Sequence, residues 1–223
     1  MKIFLDTADC EQIQKHFASG LIDGITTNPT LIRKSGRIPE DVYQELKGIG
    51  LTDISMEVVG NCEEMISEGY RLNDLFGDVT TIKVPCTPDG LKACKELSSS
   101  GIKVNVTLIF SQVQAILAAK AGATYVSPFV GRVDDNSFGG LCLVKDIAKV
   151  FREHMVRTEV LAASIRGARD VGRAFEYGSD IVTMPVGVFE KCYKHILTDK
   201  GLELFDSDWQ AVQALNNENS SLV

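Results

Sequence analysis

Three charged side chains interrupt short, otherwise apolar segments of this 223-residue sequence. Lys83 lies within TTIKVP, Glu57 lies within ISMEVV, and Asp6 ends IFLD. Charged groups are almost never buried without a partner, so these interruptions predict one shared site. The chemistry that such a set could perform is covalent and acid–base. A desolvated lysine favours the neutral amine, and a neutral amine can attack a carbonyl carbon to form a Schiff base.

Each of these residues also has a structural interpretation. Lys83 could form a salt bridge with Glu57 or Asp6, although desolvation leaves a buried ion pair little net stabilising effect. Asp6 could be the general acid/base for a substrate hydroxyl, or it could cap a helix that begins near Asp9. Glu57 could move protons through a water held by Thr107, be only the charge partner of Lys83, or do both.

A second group of polar residues suits a phosphorylated sugar. Asn28 and Asn105 offer amide donors and acceptors for hydroxyl groups, although Asn28 with Pro29 could equally be an N-cap followed by a first-turn proline. Arg132 and Arg166 could bind phosphate oxygens bidentately, and loop arginines are equally common as solvated surface residues. The remaining candidates at the ends of apolar segments are Thr26, Ser127, Phe129 and Ser164.

The elements that must position these residues are eight short β-branched segments, each followed by a longer amphipathic one. The predicted strands are residues 3–6, 24–27, 54–59, 80–84, 104–108, 124–128, 159–163 and 180–184. They are apolar on both faces, which is typical of parallel strands covered by helices.

Helix boundaries are indicated by capping residues between these strands. Asn61 with Glu64 resembles a capping box, as does Ser111 with Gln114, and Thr87 precedes a first-turn proline, Pro88. Glycines at the expected helix ends are Gly101, Gly122 and Gly178. Ser207 with Gln210 predicts the start of a last helix that extends to about residue 215, followed by a polar tail at 216–223 that we expect to fray.

Eight β/α units without a long polar linker predict one α/β domain over residues 1–223, a (β/α)8 TIM barrel with an extra C-terminal helix. The rival is an open doubly wound sheet, but no GxGxxG follows a strand and no Walker motif is present. In a barrel the active site lies at the C-terminal ends of the strands, where the candidate residues above are predicted.

Composition narrows the classes of function. The net charge of −7 disfavours nucleic acid as a partner, because phosphate neutralisation needs a basic surface. No apolar run is long enough for a signal peptide or a membrane span. The six cysteines form no CxxC pair and the three histidines are far apart. We therefore expect a cytoplasmic protein with reduced thiols and no metal site.

Several ordered stretches resemble the short transaldolases and their relatives, the fructose-6-phosphate aldolases, over nearly the whole chain. These stretches are FLDTAD at 4–9, GITTNPTLI at 24–32, IKVPCTPDGLKA at 82–93, NVTLIFS at 105–111, GATYVSPFVGRVDD at 122–135 and LAASIR at 161–166. The resemblance implies a class I aldolase barrel in which Lys83 forms the Schiff base. It implies no metal or cofactor, sugar phosphates as substrates, and a homo-oligomer of five or ten chains.

The same resemblance implies a role for each matching residue. Asp6 is the acid/base for the C3–C4 bond, while Glu57 and Thr107 handle the catalytic water. The residues implied to bind the dihydroxyacetone fragment are Asn28, Asn105 and Ser127. Those implied at the phosphate end are Arg132, Ser164 and Arg166, and Thr26 also lies in the site.

The expected reaction is the transfer of a dihydroxyacetone unit from sedoheptulose 7-phosphate to glyceraldehyde 3-phosphate, in the pentose phosphate pathway. The alternative is a fructose-6-phosphate aldolase that releases free dihydroxyacetone. Relatives with aldolase activity resemble each other in having Gln and Tyr where this chain has Glu57 and Phe129, so transfer is favoured. A catalytically silent barrel that only binds ligands is the more distant alternative, because fold alone does not imply function.

Overall fold

The computed structural model describes the backbone of residues 1–220 and the side chains of residues 1–215. Eight strands alternate with helices along the chain, as the sequence predicts. The strands are β1 (Lys2–Asp6), β2 (Gly24–Thr26), β3 (Ile54–Glu57), β4 (Thr80–Pro85), β5 (Lys103–Ile109), β6 (Tyr125–Pro128), β7 (Glu159–Ala162) and β8 (Ile181–Met184).

The helices that follow the strands include several short additional segments. They are α1 (Cys10–Phe17), α2 (Pro29–Ser35), α3 (Pro39–Ile49), α4 (Cys62–Phe76), α5 (Pro88–Ser99), α6 (Gln112–Lys120), α7 (Val130–Asp135), α8 (Gly140–Glu153), α9 (Ala168–Glu176), α10 (Val186–Lys191) and α11 (Ile196–Ser220). A 3-10 turn, Gly77–Val79, leads from α4 into β4. Within residues 1–220, every helix is too short or too polar to cross a membrane.

All strand pairs are parallel, and β8 pairs with β1 to close the barrel. The predicted (β/α)8 TIM barrel is therefore confirmed, and the open doubly wound sheet is wrong. Two register pairs matter for the site, because they place Glu57 beside Lys83 and Asp6 beside Thr26. In a parallel pair, residues that stand opposite each other project to the same face of the sheet. Each of these pairs therefore presents two polar side chains side by side at the C-terminal end of the barrel.

The barrel interior contains an apolar layer on the side of β1, β6, β7 and β8. This layer, the apolar floor, is formed by Phe4, Tyr125, Leu161, Ala163 and Ile181, with Phe129 packed against it. Phe4 and Tyr125 meet edge to face, with ring centroids 6.3 Å apart. The much larger cluster of apolar residues lies between the outer face of the strands and the helices. The strands are thus buried on both faces, which explains why their sequences lack clean alternation.

Several local signals of the sequence are confirmed. Asn61 and Glu64 form a reciprocal capping box at α4, and Thr87 caps α5 ahead of its first-turn proline. Ser111 caps α6. The glycines predicted at helix ends all have positive φ: 82° at Gly101, 94° at Gly122 and 93° at Gly178.

β5 contains an irregularity that the sequence does not reveal. Val106 pairs with Val126 and Ile109 pairs with Pro128, so β5 holds one residue more than β6 between these pairs. Leu108 adopts a positive φ of 59° there, which is unfavourable for a leucine. An extra residue of this kind is a β-bulge, and it changes which side chains face inward.

The chain divides into two compact units, Met1–Phe189 and Glu190–Val223. The first unit contains all eight strands of the barrel. The expectation of one domain over residues 1–223 stays a prediction.

The second unit contains α11, whose limits differ from the predicted ones. The helix begins at Ile196, so Ser207 lies inside it, and the predicted start at Ser207 is wrong. Gly201 does not interrupt the helix, because one internal glycine costs only about 1 kcal/mol relative to alanine. The predicted tail at 216–223 is also partly wrong, since the backbone is helical to Ser220, while residues 221–223 lie outside the described residues.

Candidate active site

A cavity of about 300 Å³ opens at the C-terminal ends of the strands. We call it the barrel cavity. It is lined by Asp6, Thr26, Asn28, Pro29, Thr30, Glu57, Lys83, Thr107, Leu108, Ser127, Phe129, Arg132, Leu161, Ala163, Ser164 and Thr183. All but two of the predicted site residues are in this lining. The exceptions are Asn105 and Arg166.

Lys83 lies deep in the barrel cavity and is only 5% exposed. Its Nζ is 2.9 Å from Oε2 of Glu57, and it donates a hydrogen bond of 2.9 Å to the backbone carbonyl of Thr27. The ion pair with Glu57 considered from the sequence is therefore present. Its geometry also fixes the amine at one point of the cavity, where an electrophilic carbon could reach it.

Asp6 lines the same cavity at the end of β1. Oδ1 of Asp6 accepts a hydrogen bond of 2.7 Å from Oγ1 of Thr26, and Oγ1 of Thr183 lies 2.7 Å from Oγ1 of Thr26. Since Thr26 has one hydroxyl proton and gives it to Asp6, Thr183 donates to Thr26. Asp6 does not cap α1, because that function belongs to Asp9.

The pKa of Asp6 is raised above its ordinary value of 3.8, and burial is the main cause. The hydrogen bond from Thr26 lowers the pKa, as do the positive charges of Lys83 and Arg132, but these effects only partly offset burial. A carboxyl group with a raised pKa exchanges its proton more readily near neutral pH than an ordinary aspartate does. The position and titration of Asp6 therefore suit an acid/base.

Thr107 is placed for contact with a small polar molecule. It is buried, lines the barrel cavity, and its Oγ1 has no hydrogen-bond partner among the described residues. A buried hydroxyl without a partner is costly, so it is normally satisfied by water or a ligand. Glu57 lines the same cavity, which is compatible with a water held between the two side chains.

Asn105 and Ser127 form a polar layer next to Lys83. Asn105 stands opposite Lys83 in the register of β4 and β5, and it is fully buried. Its Oδ1 accepts a hydrogen bond of 2.7 Å from Ser127, and its Nδ2 donates one of 3.3 Å to Ser55. Ser127 therefore lines the cavity directly, whereas Asn105 holds Ser127 from behind.

Asn28 has a structural role in addition to its place in the cavity lining. Its Oδ1 accepts a hydrogen bond of 3.0 Å from the backbone N–H of Leu31 and so caps α2, whose first residue is Pro29. The capping interpretation is confirmed. Because Oδ1 is engaged in the cap, the amide Nδ2 is the group that Asn28 can offer to a ligand.

The two candidate arginines lie in different surroundings. The guanidinium of Arg132 stacks over the ring of Phe129, 4.8 Å from its centroid, and both residues line the cavity together with Ser164. Arg166 instead forms a bidentate ion pair with Asp135, and neither residue lines the cavity. Arg132 is thus the cation available at the cavity mouth.

Some of the lining residues carried no signal in the sequence. Leu108 lines the cavity because the bulge in β5 turns two consecutive residues, Thr107 and Leu108, toward it. The bulge depends on the positive φ of Leu108. A leucine in a sequence does not predict a positive φ, so the sequence gives no sign of the bulge. Leu161 and Ala163 form an apolar part of the wall and look like ordinary core residues. No group of three metal-ligating side chains occurs among the described residues.

Comparisons with known proteins identify the family of the chain. The family described as "Transaldolase/Fructose-6-phosphate aldolase" matches residues 3–221. The chain is 51% identical to a "Probable transaldolase" of Nitrosopumilus maritimus, covering 97% of this chain and 98% of that protein. It is 53% identical to one of Kosmotoga olearia, covering 94% and 96%, and 51% identical to one of Lactiplantibacillus plantarum, covering 96% and 99%. Because this family matches nearly the whole chain and these relatives share about half of its residues, the chain belongs to the transaldolase/fructose-6-phosphate aldolase family.

Proposed function

We propose that this enzyme is a transaldolase that transfers a dihydroxyacetone unit between sugar phosphates through a Schiff base on Lys83. The donor is sedoheptulose 7-phosphate, the acceptor is glyceraldehyde 3-phosphate, and the products are erythrose 4-phosphate and fructose 6-phosphate. The observation that carries the proposal is the buried Nζ of Lys83, held between Glu57 and the Thr27 carbonyl in a cavity that Asp6 also lines.

The first half of the reaction forms the imine. The amine of Lys83 attacks the ketone carbon C2 of the donor, and the resulting carbinolamine loses its hydroxyl as water. Glu57 is 2.9 Å from the amine, so it can take a proton from the attacking nitrogen and give one to the departing hydroxyl. Thr107 provides the neighbouring unpartnered hydroxyl for that water.

The second half breaks and remakes a carbon–carbon bond. Asp6 accepts the proton of the C4 hydroxyl, the C3–C4 bond breaks, and its electrons move to the iminium nitrogen to give an enamine. The aldose phosphate leaves, and the enamine attacks the acceptor aldehyde while Asp6 returns its proton to the new hydroxyl. The raised pKa of Asp6 suits both directions, because the group must accept a proton and then donate it.

The polar groups around the cavity suit the rest of the sugar. Arg132 and Ser164 lie at one side of the lining and can bind a phosphate. Arg166 could join them only if the phosphate competed with Asp135 for its guanidinium. Thr26, Asn28 and Ser127 provide hydrogen-bonding groups for hydroxyls, and Asn105 keeps Ser127 in place.

The product distribution tests the proposal against the aldolase alternative. With fructose 6-phosphate alone we expect slow release of free dihydroxyacetone, and with erythrose 4-phosphate present we expect rapid formation of sedoheptulose 7-phosphate. Rapid release of dihydroxyacetone without an acceptor would assign the chain to the aldolases instead.

Replacement of Phe129 by tyrosine is expected to raise the release of free dihydroxyacetone by about tenfold. Phe129 lines the cavity and has no group that orders water or donates a proton, whereas a tyrosine hydroxyl has both capacities. The measurement is the ratio of free to transferred dihydroxyacetone.

The matched control is Phe110→Tyr. Phe110 packs edge to face against Phe129 at a centroid distance of 5.8 Å, but it is not among the cavity-lining residues. The product ratio of Phe110→Tyr should stay that of the unmodified protein. An unchanged ratio in Phe129→Tyr, with transfer activity intact, would contradict the role assigned to Phe129.

We further propose that the protein works in the cytoplasm, in the pentose phosphate pathway, as a homo-oligomer. The apolar side chains of α11 support oligomerisation. Exposed large side chains recur at helical spacing along this helix: Leu202, Phe205, Trp209 and Val212. Apolar stripes of this kind commonly mark interfaces between protein chains.

Light scattering is expected to give a mass several times 24.3 kDa, the mass of one chain. The double variant Phe205→Asp/Trp209→Asp should shift the mass toward that of one chain, because two carboxylates would be desolvated at the interface. Glu203→Gln on the same helix is the control. A monomeric unmodified protein would contradict the proposal.

A further inference from the structure

Glu57 lines a second cavity as well as the barrel cavity. We call it the outer cavity. Its volume is about 300 Å³, and its lining shares three residues with the barrel cavity: Asn28, Pro29 and Glu57. Of these three, only Glu57 is titratable. The carboxylate that contacts the Lys83 amine therefore belongs to the boundary between two spaces.

The remaining wall of the outer cavity comes from α2, α3 and α4. Its buried aliphatic residues are Ile32 and Leu72, 8% and 3% exposed. Its rim carries Glu40 and Glu68, which Arg71 holds together through hydrogen bonds of 2.6 Å to each. We call the part of the outer cavity that Ile32 and Leu72 line its throat, and Arg33, Glu40 and Glu68 add charged groups to the same lining.

Tyr43 provides a polar group inside this throat. Its side chain lines the outer cavity, and its hydroxyl lies 3.4 Å from Oγ1 of Thr27. Burial raises the pKa of Tyr43, and the negative charges of Glu57, Glu40 and Glu68 raise it further. All three carboxylates line the outer cavity together with Tyr43.

The proposed reaction requires that water enter and leave the active site, and the outer cavity offers a space for this. Each imine that forms releases one water, and each imine that is hydrolysed consumes one. A ketose phosphate bound above Lys83 fills a cavity of about 300 Å³, which is the size of a ligand pocket rather than of a solvent channel. The bound sugar therefore blocks the barrel mouth when water must pass.

We propose that the outer cavity is the solvent route of Glu57, through which water and protons are exchanged with bulk solvent while the sugar occupies the barrel cavity. During imine formation the ammonium of Lys83 gives up two of its three protons, the ketone oxygen takes both and leaves as water, and Glu57 carries these protons from nitrogen to oxygen, so that the iminium keeps one. The excess water leaves past Ile32 and Leu72, and water returns the same way for hydrolysis. This inference rests on the proposed Schiff-base reaction.

Variants that fill the outer cavity test the inference. Ile32→Phe and Leu72→Phe place a larger ring in the throat, and neither residue lines the barrel cavity. The matched controls are Ile32→Leu and Leu72→Met, which nearly conserve volume. Two filling variants at different positions are used so that one unfolded variant does not decide the result.

The measurement separates the steps that involve water from the step that does not. Rapid mixing with fructose 6-phosphate, followed by a borohydride quench at increasing times, gives the rate of adduct formation on Lys83. We expect both filling variants to slow this rate by about tenfold. Attack of the preformed enamine on erythrose 4-phosphate, measured as the borohydride-trapped seven-carbon adduct on Lys83 before that imine is hydrolysed, should stay within twofold, because no water is formed or consumed in carbon–carbon bond formation.

Two results would overturn the inference. One is adduct formation at the unmodified rate in both filling variants. The other is an equal slowing of adduct formation and enamine transfer, which would indicate a general distortion of the site. Failure of the proposed function itself is distinct, because the unmodified protein would then give no borohydride-trapped adduct at Lys83.

Discussion

Replacement of Lys83 by methionine is expected to reduce dihydroxyacetone transfer by about 10⁴-fold or more, as removal of a covalent nucleophile commonly does. Methionine has a similar length but no amine, so the ketone has no nucleophile and no imine forms. Borohydride reduction in the presence of fructose 6-phosphate, followed by mass spectrometry, should label the unmodified protein at Lys83. The variant should not be labelled.

Stability must be controlled in this experiment, because Lys83 neutralises Glu57 inside the barrel. Removing one partner of a buried ion pair costs about 3–5 kcal/mol. The double variant Lys83→Met/Glu57→Gln removes both charges and should recover most of the free energy of unfolding while remaining inactive. Recovery of activity in the double variant would rule out Lys83 as the nucleophile.

Lys103→Met is the matched control for labelling. Lys103 also belongs to a barrel strand, but its Nζ pairs with Asp53 at a distance of 3.1 Å, and it does not line the barrel cavity. This variant should keep both the label and the activity. A label that moved to Lys103, or that persisted in Lys83→Met, would contradict the mechanism.

Replacement of Asp6 by asparagine is expected to slow carbon–carbon bond cleavage by about 10²–10⁴-fold, the usual contribution of a general acid/base. Imine formation should continue, because the amine of Lys83 and its contact with Glu57 are unaffected. The variant should therefore accumulate a borohydride-trapped adduct with the intact ketose. Equal losses of adduct formation and cleavage would show that Asp6 supports the structure of the site rather than proton transfer.

The pH dependence of cleavage provides an independent test of Asp6. The carboxylate form is the base, so the cleavage rate falls as pH falls through the pKa of Asp6. Because burial raises that pKa, the acid limb should lie above 3.8, the ordinary value for aspartate. Asp6→Asn should lack this limb.

Thr26→Val changes the titration of Asp6 without removing it. The Thr26 hydroxyl donates to Oδ1 of Asp6 and so stabilises the carboxylate, which lowers its pKa. Valine cannot donate, and the acid limb should move to higher pH. Thr183→Val is the control, because Thr183 contacts Thr26 and not Asp6 in the described hydrogen bonds, so its effect should be smaller. A limb that moved to lower pH in Thr26→Val would contradict this account.

Much of the barrel could be predicted because its signals are local. Parallel strands covered on both faces are short apolar runs, and helix N-caps such as Asn61 and Thr87 have side chains that accept backbone hydrogen bonds. The prediction for the start of α11 was wrong because it, too, relied on a local signal. Ser207 and Gln210 have the spacing of a capping box, but on an uninterrupted helix that spacing has no capping function.

The candidate site was predictable where charged residues occur in segments that otherwise have the apolar composition of a buried core. Lys83, Glu57 and Asp6 are charged in apolar strands, so they stand out, and the barrel topology brings all of them to one cavity. The sequence does not reveal the side-chain positions that depend on strand register or on local backbone geometry. The side chain of Asn105 forms hydrogen bonds with Ser127 and Ser55 and does not line the cavity. Leu108 lines the cavity only because of the bulge in β5.

The N-terminal end of the strands holds its own network of buried polar side chains. There Asp53 accepts hydrogen bonds from Tyr125, Thr81 and Lys103, and none of these four residues lines the barrel cavity. This end of the barrel is thus a region where thermostability can be engineered while turnover is left alone.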